Sequence, residues 1–137
     1  MWWIYALLSA FFASLTAIFA KIGVNNVNSD LATAIRTVVI LVVAWGITIS
    51  RGEEKGIGQL SKNSWVFLVL SGLATGLSWI FYYKALQIGK VSQVAPVDKL
   101  SVALTIVLSA VFLNETVSLK AAIGAVMIMG GTLVLIF

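Results

Sequence analysis

Residues 81–114 read FYYKALQIGKVSQVAPVDKLSVALTIVLSAVFLN, and the rest of the chain is organised around this stretch. It contains Pro96, the only proline in the protein, followed two residues later by the adjacent charges of Asp98 and Lys99. The apolar run that follows, extended back to Val94, has roughly the 20 residues that a helix needs to cross a bilayer. Charged residues at the mouth of such a helix are rare and usually mark a functional site.

The composition predicts an integral membrane protein. Of the 137 residues, 61% are hydrophobic and 10% are charged, whereas a soluble domain carries about 25% charged residues. The chain has no cysteine and no histidine, which excludes disulfides, thiolate chemistry, most zinc sites and the usual proton shuttle. In a membrane protein, a formal net charge of +4 mostly reflects orientation and contact with lipid head groups, and it does not indicate nucleic acid binding.

Five apolar segments separated by short polar breaks predict an all-α fold with five transmembrane helices in a single domain, residues 1–137. The helices are expected at about 3–20, 31–49, 65–86, 94–113 and 119–137. The first apolar run has no Lys or Arg before it, so it lacks the basic start of a cleaved signal peptide and is expected to remain as a membrane helix. Five crossings place the two termini on opposite sides of the membrane.

The basic residues near the helix ends are almost evenly divided between the two sides. One side carries Arg51, Lys55, Lys62 and Lys120, and the other carries Lys21, Lys84 and Lys90. Four against three is almost no bias, so the positive-inside rule does not set the orientation. A balance of this kind is compatible with a chain that inserts both ways up.

Five charges from four segments are expected at one end of the bundle, because the crossings alternate: Lys21, Arg36, Lys84, Asp98 and Lys99. Arg36, inside the second segment, is either a snorkelling anchor or the partner of a buried acid. An unpaired charge at depth costs a few kcal/mol, so Asp98 is expected to pair. Arg36 is the favoured partner, since a guanidinium binds a carboxylate bidentately. Such a pair either ties two helices together or changes protonation as a substrate moves.

The remaining candidate residues also carry two interpretations each. Pro96 is either a first-turn proline or a point of bending. Trp79 and Tyr83 belong to an interfacial aromatic belt or line a cavity. The predicted substrate or ion pathway consists of Asp98, Lys99, Arg36, Lys84, Pro96, Tyr83 and Trp79.

Four glycines are candidates for helix packing. Gly72 and Gly76 form a GxxxG pattern, which is typical of close contacts between membrane helices. Gly124 and Gly131 are seven residues apart and therefore share a helix face.

Residues 83–96 (YKALQIGKVSQVAP), Leu100, residues 113–115 (LNE) and residues 122–131 resemble the EamA-type domain of the drug/metabolite transporter superfamily. The common form of that family has ten helices, built as two five-helix halves of opposite orientation. The resemblance therefore implies that this chain is one half of an inverted-repeat transporter fold. Many members carry an uncharged Leu-x-Pro segment after the proline, where this chain has Asp98 and Lys99, so the substrate is left undefined.

The resemblance and the charges together predict a transporter of small metabolites or drug-like solutes, either a secondary transporter or an exporter. It is expected to be a multi-pass protein of the cell (inner or plasma) membrane that works as a homodimer in the lipid bilayer, with an antiparallel arrangement favoured. The alternative is a non-transporting membrane subunit or scaffold half that needs a different partner. An enzyme, a metal, a cofactor and a nucleic acid partner are not expected, because no paired carboxylates or metal-ligand spacings are present.

Overall fold

The computed structural model describes residues 1–136.

Three helices begin at residues whose side chains cap the first turn. The side-chain oxygens of Asn28, Ser61 and Ser118 accept backbone amides two or three positions later, at 2.8, 3.1 and 3.2 Å. Each satisfies an amide that has no partner inside its own helix. The polar breaks of the sequence therefore mark the helix starts.

Residues 1–136 form six α-helices and one 3-10 helix. In order they are α1 (Trp2–Gly23), α2 (Ser29–Ser50), the 3-10 helix (Glu53–Gln59), α3 (Lys62–Ile88), α4 (Val91–Asp98), α5 (Leu100–Phe112) and α6 (Leu119–Ile136). No strand occurs in residues 1–136, so the predicted all-α class is confirmed. Five spans are long and apolar enough to cross a bilayer: α1, α2, α3, α4 continued by α5, and α6. Phe137, the predicted last residue of the fifth span, lies outside the described residues.

The helices belong to two compact units, which α1 joins. One unit holds residues 19–87, with the end of α1, α2, the 3-10 helix and α3. The other holds residues 1–18 and the chain from 88 onward, with the start of α1 and α4 to α6.

The core of the 19–87 unit lies where the end of α1, the start of α2 and the end of α3 meet. Val24 and Leu86 are its fully buried apolar side chains. Tyr83 of α3 and Thr33 of α2 are buried beside this core. The Thr33 hydroxyl donates to the Ser29 carbonyl of its own helix at 2.9 Å, so its polar hydrogen is paired although it is buried.

In the other unit, α4 and α5 both pack on α6. The buried residues of this packing are small: Ala103 on α5, and Ala125 and Thr132 on α6. Small residues let membrane helices approach closely. Most large apolar side chains of the chain are exposed, as expected for helices that face lipid rather than water.

The residue two positions after the end of α5 has a left-handed backbone conformation. Asn114 has φ +53°, a region that most side chains avoid and that Asn tolerates. The Glu115 amide donates to the Ser109 carbonyl at 3.3 Å, which closes the end of the helix. The left-handed backbone conformation at this position therefore explains the asparagine of the Leu-Asn-Glu sequence at 113–115.

Candidate functional site

Arg36 of α2 lies over two aromatic rings of α3. Its guanidinium carbon is 4.1 Å from the centroid of the Trp79 ring and 5.6 Å from that of Tyr83. Trp79 and Tyr83 are four residues apart and so lie on one face of their helix. These distances fall within the range of cation–π attraction. We call these three residues the Arg36 cluster; all lie in the 19–87 unit.

Aromatic faces attract the positive charge of a guanidinium but do not act as conventional hydrogen-bond acceptors for its N–H groups. A guanidinium has five such donors and no acceptor. Within residues 1–136 the structure gives Arg36 no carboxylate within 4.0 Å and no hydrogen-bond acceptor. The positive charge of the Arg36 cluster is therefore balanced by aromatic faces and by no acidic side chain of the described chain.

Two side chains of the same unit form hydrogen bonds that connect the end of α3 to the end of α1 and to the loop after α1. Lys21 Nζ donates to the Leu86 carbonyl oxygen at 2.5 Å. Gln87 Nε2 donates to the Val27 carbonyl oxygen at 2.8 Å. The Leu86 carbonyl lies in the last turn of α3, where the intrahelical partner is missing, and Val27 lies in the loop between α1 and α2. The two bonds therefore tie the end of α3 to the end of α1 and to the loop that follows it.

The second group of predicted site residues lies where the fourth span is interrupted. Pro96 stands inside α4, which ends two residues later, and α5 begins at Leu100. The Lys99 amide donates to the Pro96 carbonyl at 3.0 Å, a three-residue step instead of the four-residue step of an α-helix. Proline has no amide hydrogen and disturbs the turn before it. Pro96 is the sixth residue of α4 and so lies beyond the first turn of that helix, and the point of bending stays a prediction.

Asp98 forms an ion pair with its neighbour. Lys99 Nζ lies 3.3 Å from Asp98 Oδ2, with the lysine side chain 56% and the aspartate side chain 36% exposed. Arg36 was the expected partner of Asp98; each of the two residues has a contact within its own unit, Asp98 with Lys99 and Arg36 with Trp79. We call Pro96, Asp98 and Lys99 the α4–α5 break.

Thr132 of α6 supports this break. Its hydroxyl lies 2.8 Å from the Ile128 carbonyl oxygen of its own helix and 3.3 Å from the Pro96 carbonyl oxygen. Thr132 is 4% exposed, so the contact is shielded from lipid and water. Sequence reasoning overlooked Thr132, although a lone hydroxyl in the apolar α6 was a usable signal. It also overlooked Gln87, for which the sequence offers no comparable signal.

The structure divides the predicted pathway residues into these two groups and leaves one residue apart. Arg36, Trp79 and Tyr83 are together, and Pro96, Asp98 and Lys99 are together. Lys84 is exposed and takes part in no ion pair within the described chain. Acidic side chains do not gather as metal ligands anywhere in residues 1–136.

The four glycines predicted to pack helices have open space beside them. A Cβ added at Gly72, Gly76, Gly124 or Gly131 would meet no atom within 4 Å in residues 1–136, apart from its own helix backbone. The described chain places no other helix against these glycines, and the expected close helix contact at Gly72 and Gly76 stays a prediction. A glycine pattern records that a close approach is possible, and does not say whether the neighbour belongs to the same chain.

An apolar groove of about 620 Å³ runs between α5 and α6 in the second unit. Its walls are aliphatic and include Leu104, Val107, Val126 and Met129. Among the described residues its lining contains no charged side chain. The groove is thus suited to lipid or to another apolar helix, and not to a charged solute.

Comparisons with known proteins agree with one another. The family model described as the EamA-like transporter family matches residues 1–137. A protein of Sinorhizobium sp. named as an uncharacterized transporter in the cobO 3′ region is 47% identical over 134 residues, covering 98% of this chain and 95% of its own length. An uncharacterized protein of Methanocaldococcus jannaschii is 30% identical over 132 residues, covering 96% of this chain and 93% of its own. No solved structure matches the chain.

Proposed function

This chain belongs to the EamA-like transporter family, and from that premise we propose that it moves small metabolites or drug-like solutes across the cell membrane as a homodimer. That it is a multi-pass membrane protein of transporter type follows from the family and from its five apolar spans. The solute class, the homodimer and the plasma membrane location are the proposal.

The observation that carries the proposal is the interrupted fourth span. Discontinuous helices form the substrate and ion sites of many secondary transporters, because backbone groups freed at the interruption face the transported species. At the α4–α5 break, Pro96 has no amide hydrogen to donate within its helix, and the charges of Asp98 and Lys99 follow it two and three residues later. Charges at membrane depth are retained mainly where they act on a substrate or an ion.

The homodimer is proposed because the chain has a single set of five spans. Transporter sites lie between two repeats near the bilayer midplane, so a second copy would supply the missing half. The open space at Gly124 and Gly131 offers a face on which another helix could pack. The nearly equal basic residues on the two sides favour an antiparallel pair, since they permit opposite insertion.

Flux through vesicles that contain only this protein tests the proposal. The purified chain would be reconstituted into phosphatidylcholine vesicles and offered labelled amino acids, sugars, organic acids and ethidium under an imposed proton or sodium gradient. We expect gradient-dependent flux of at least one solute above that of protein-free vesicles. Asp98→Asn should lower this flux, while the matched Asp30→Asn, at the exposed start of α2, should not.

The contrary result would favour the other candidate function. If no solute moves, although the protein is folded and dimeric, a non-transporting subunit that needs a different partner becomes the better account. If Asp98→Asn and Asp30→Asn have the same flux as the unaltered chain, the α4–α5 break is not the site.

A further inference from the structure

The N–H groups of the Arg36 cluster could donate hydrogen bonds to an anion, and no acidic side chain of the described residues accepts them. The guanidinium carbon lies 4.1 Å from the Trp79 ring centroid and 5.6 Å from that of Tyr83. Within residues 1–136 its N–H groups have no acceptor, and the ion pair of the described chain is formed elsewhere, by Asp98 with Lys99. An arginine retained for helix packing alone would be expected to have a carboxylate or carbonyl partner, because unpaired charge is costly at membrane depth.

The surrounding charge of the same unit favours a negative ligand. Arg36 is seven residues into α2, about 10 Å along the helix from its start. Lys21 lies in the last turn of α1, and Lys84 lies four residues before the end of α3. Asp30 is the acid on this side of the unit. Three basic groups against one acid create a positive potential, which attracts anions and repels cations.

The guanidinium of the cluster favours an oxyanion with two oxygens in one plane. Its N–H groups lie along the edges of a planar fork and can make two parallel N–H···O bonds. Carboxylate and phosphate groups match that edge, whereas a halide or a neutral amide does not. Trp79 is half-buried and Tyr83 is 4% exposed, so the guanidinium lies against side chains with little freedom to move.

We propose that Arg36, held by Trp79 and Tyr83, binds a carboxylate or phosphate group of the transported solute, which is therefore an organic anion. This inference rests on the proposed transport function. A phospholipid head group carries the same phosphate chemistry, so the experiment has to separate the two sources.

The test compares three probes of nearly the same shape and different charge: benzoate, benzamide and benzamidine, with phenyl phosphate as a second anion. The full chain would be placed in phosphatidylcholine nanodiscs at constant ionic strength, and its unfolding temperature measured against probe concentration. A ligand that binds the folded state raises this temperature. We expect benzoate or phenyl phosphate to raise it, and benzamide and benzamidine to leave it unchanged.

Variants assign the effect to the residue. Arg36→Gln should weaken the anion effect by about tenfold or more in apparent affinity, as expected for the loss of a charge-assisted pair. Arg36→Lys keeps the charge without the two-pronged edge and should lie in between. Arg51→Gln, which removes an arginine at the other end of α2, is the matched control and should respond as the unaltered chain does.

Several results would overturn the inference. They are equal stabilisation by benzamide or benzamidine, no stabilisation by either anion, or an undiminished anion effect in Arg36→Gln. The comparison of probes on the unaltered chain keeps the test decisive even if Arg36→Gln does not fold. In phosphatidylglycerol nanodiscs, stabilisation by the lipid that requires Arg36 and leaves benzoate without effect would assign the site to the head group and overturn its role for the solute.

The binding experiment and the flux experiment distinguish a failure of the oxyanion site from a failure of the proposed transport function. An anion effect without flux in vesicles would support the oxyanion site and count against the transporter. Flux of a neutral or cationic solute without any anion effect would do the reverse.

Discussion

The guanidinium carbon of Arg36 lies 4.1 Å from the centroid of the Trp79 ring, so α2 and α3 are joined inside their unit by a cation on an aromatic face. Such a contact adds stability without neutralising the charge. It lets one residue hold two helices and still remain available to an anion.

A double-mutant cycle of Arg36→Met and Trp79→Leu should give a coupling energy of about 1 kcal/mol, the usual size of a partly desolvated cation–π contact. The measurement is the free energy of unfolding in mild detergent for the two single variants and the double variant. Trp65→Leu, on the same helix and 48% exposed, provides the control cycle with Arg36→Met. Equal coupling in both cycles would contradict a specific contact.

Thr132→Val should destabilise the protein by about 0.6 kcal/mol, the average for interhelical hydrogen bonds in a membrane protein. The reason is that its hydroxyl reaches the Pro96 carbonyl of α4 as well as its own helix. Thr105 bonds the Ser101 carbonyl of its own helix at 2.8 Å, so Thr105→Val is the matched control and should have a smaller effect. Chemical unfolding of the three proteins measures this, and identical curves would show that the contact with Pro96 adds nothing.

Asn114→Ala should destabilise the protein by about 1 kcal/mol, because Asn114 has φ +53° and alanine resists the left-handed region. Asn114→Gly should be neutral or slightly stabilising, since glycine adopts positive φ without a steric penalty. Thermal unfolding in detergent distinguishes them. A loss of stability in Asn114→Gly as large as in Asn114→Ala would mean that the side chain matters, and not the backbone.

Gly124→Leu should lower the dimer fraction and leave the unfolding of the monomer nearly unchanged. Within residues 1–136, no atom lies within 4 Å of a Cβ at this position apart from its own helix backbone, so the first atom of the new side chain meets open space in the single chain. Gly46→Leu on α2 has the same open surroundings and serves as the control. Crosslinking in vesicles at several protein-to-lipid ratios gives the dimer fraction, and an unchanged fraction in Gly124→Leu would place the dimer contact elsewhere.

Lys55→Cys and Lys90→Cys should each be labelled from one side of sealed vesicles in about half of the molecules, because balanced basic residues permit both insertions. The chain has no native cysteine, so a membrane-impermeant maleimide reports each position alone. Complete labelling of one position and none of the other would indicate a single orientation and contradict the antiparallel dimer.

The number and approximate limits of the spans could be predicted from the sequence. Length and apolarity decide whether a segment crosses a bilayer, and both are local properties. The capping residues are local in the same sense, because Asn28, Ser61 and Ser118 bind amides only two or three residues away.

Contacts between helices were beyond such reasoning, and the partner of Arg36 is the clearest case. The choice between Trp79 and Asp98 depends on how each helix is rotated about its axis. Helices that are apolar on nearly every side carry little record of that rotation. The interruption at Pro96 depends in the same way on the tertiary structure. The proline permits either a first turn or a bend, and in the folded chain its carbonyl meets Thr132 from a helix 36 residues away.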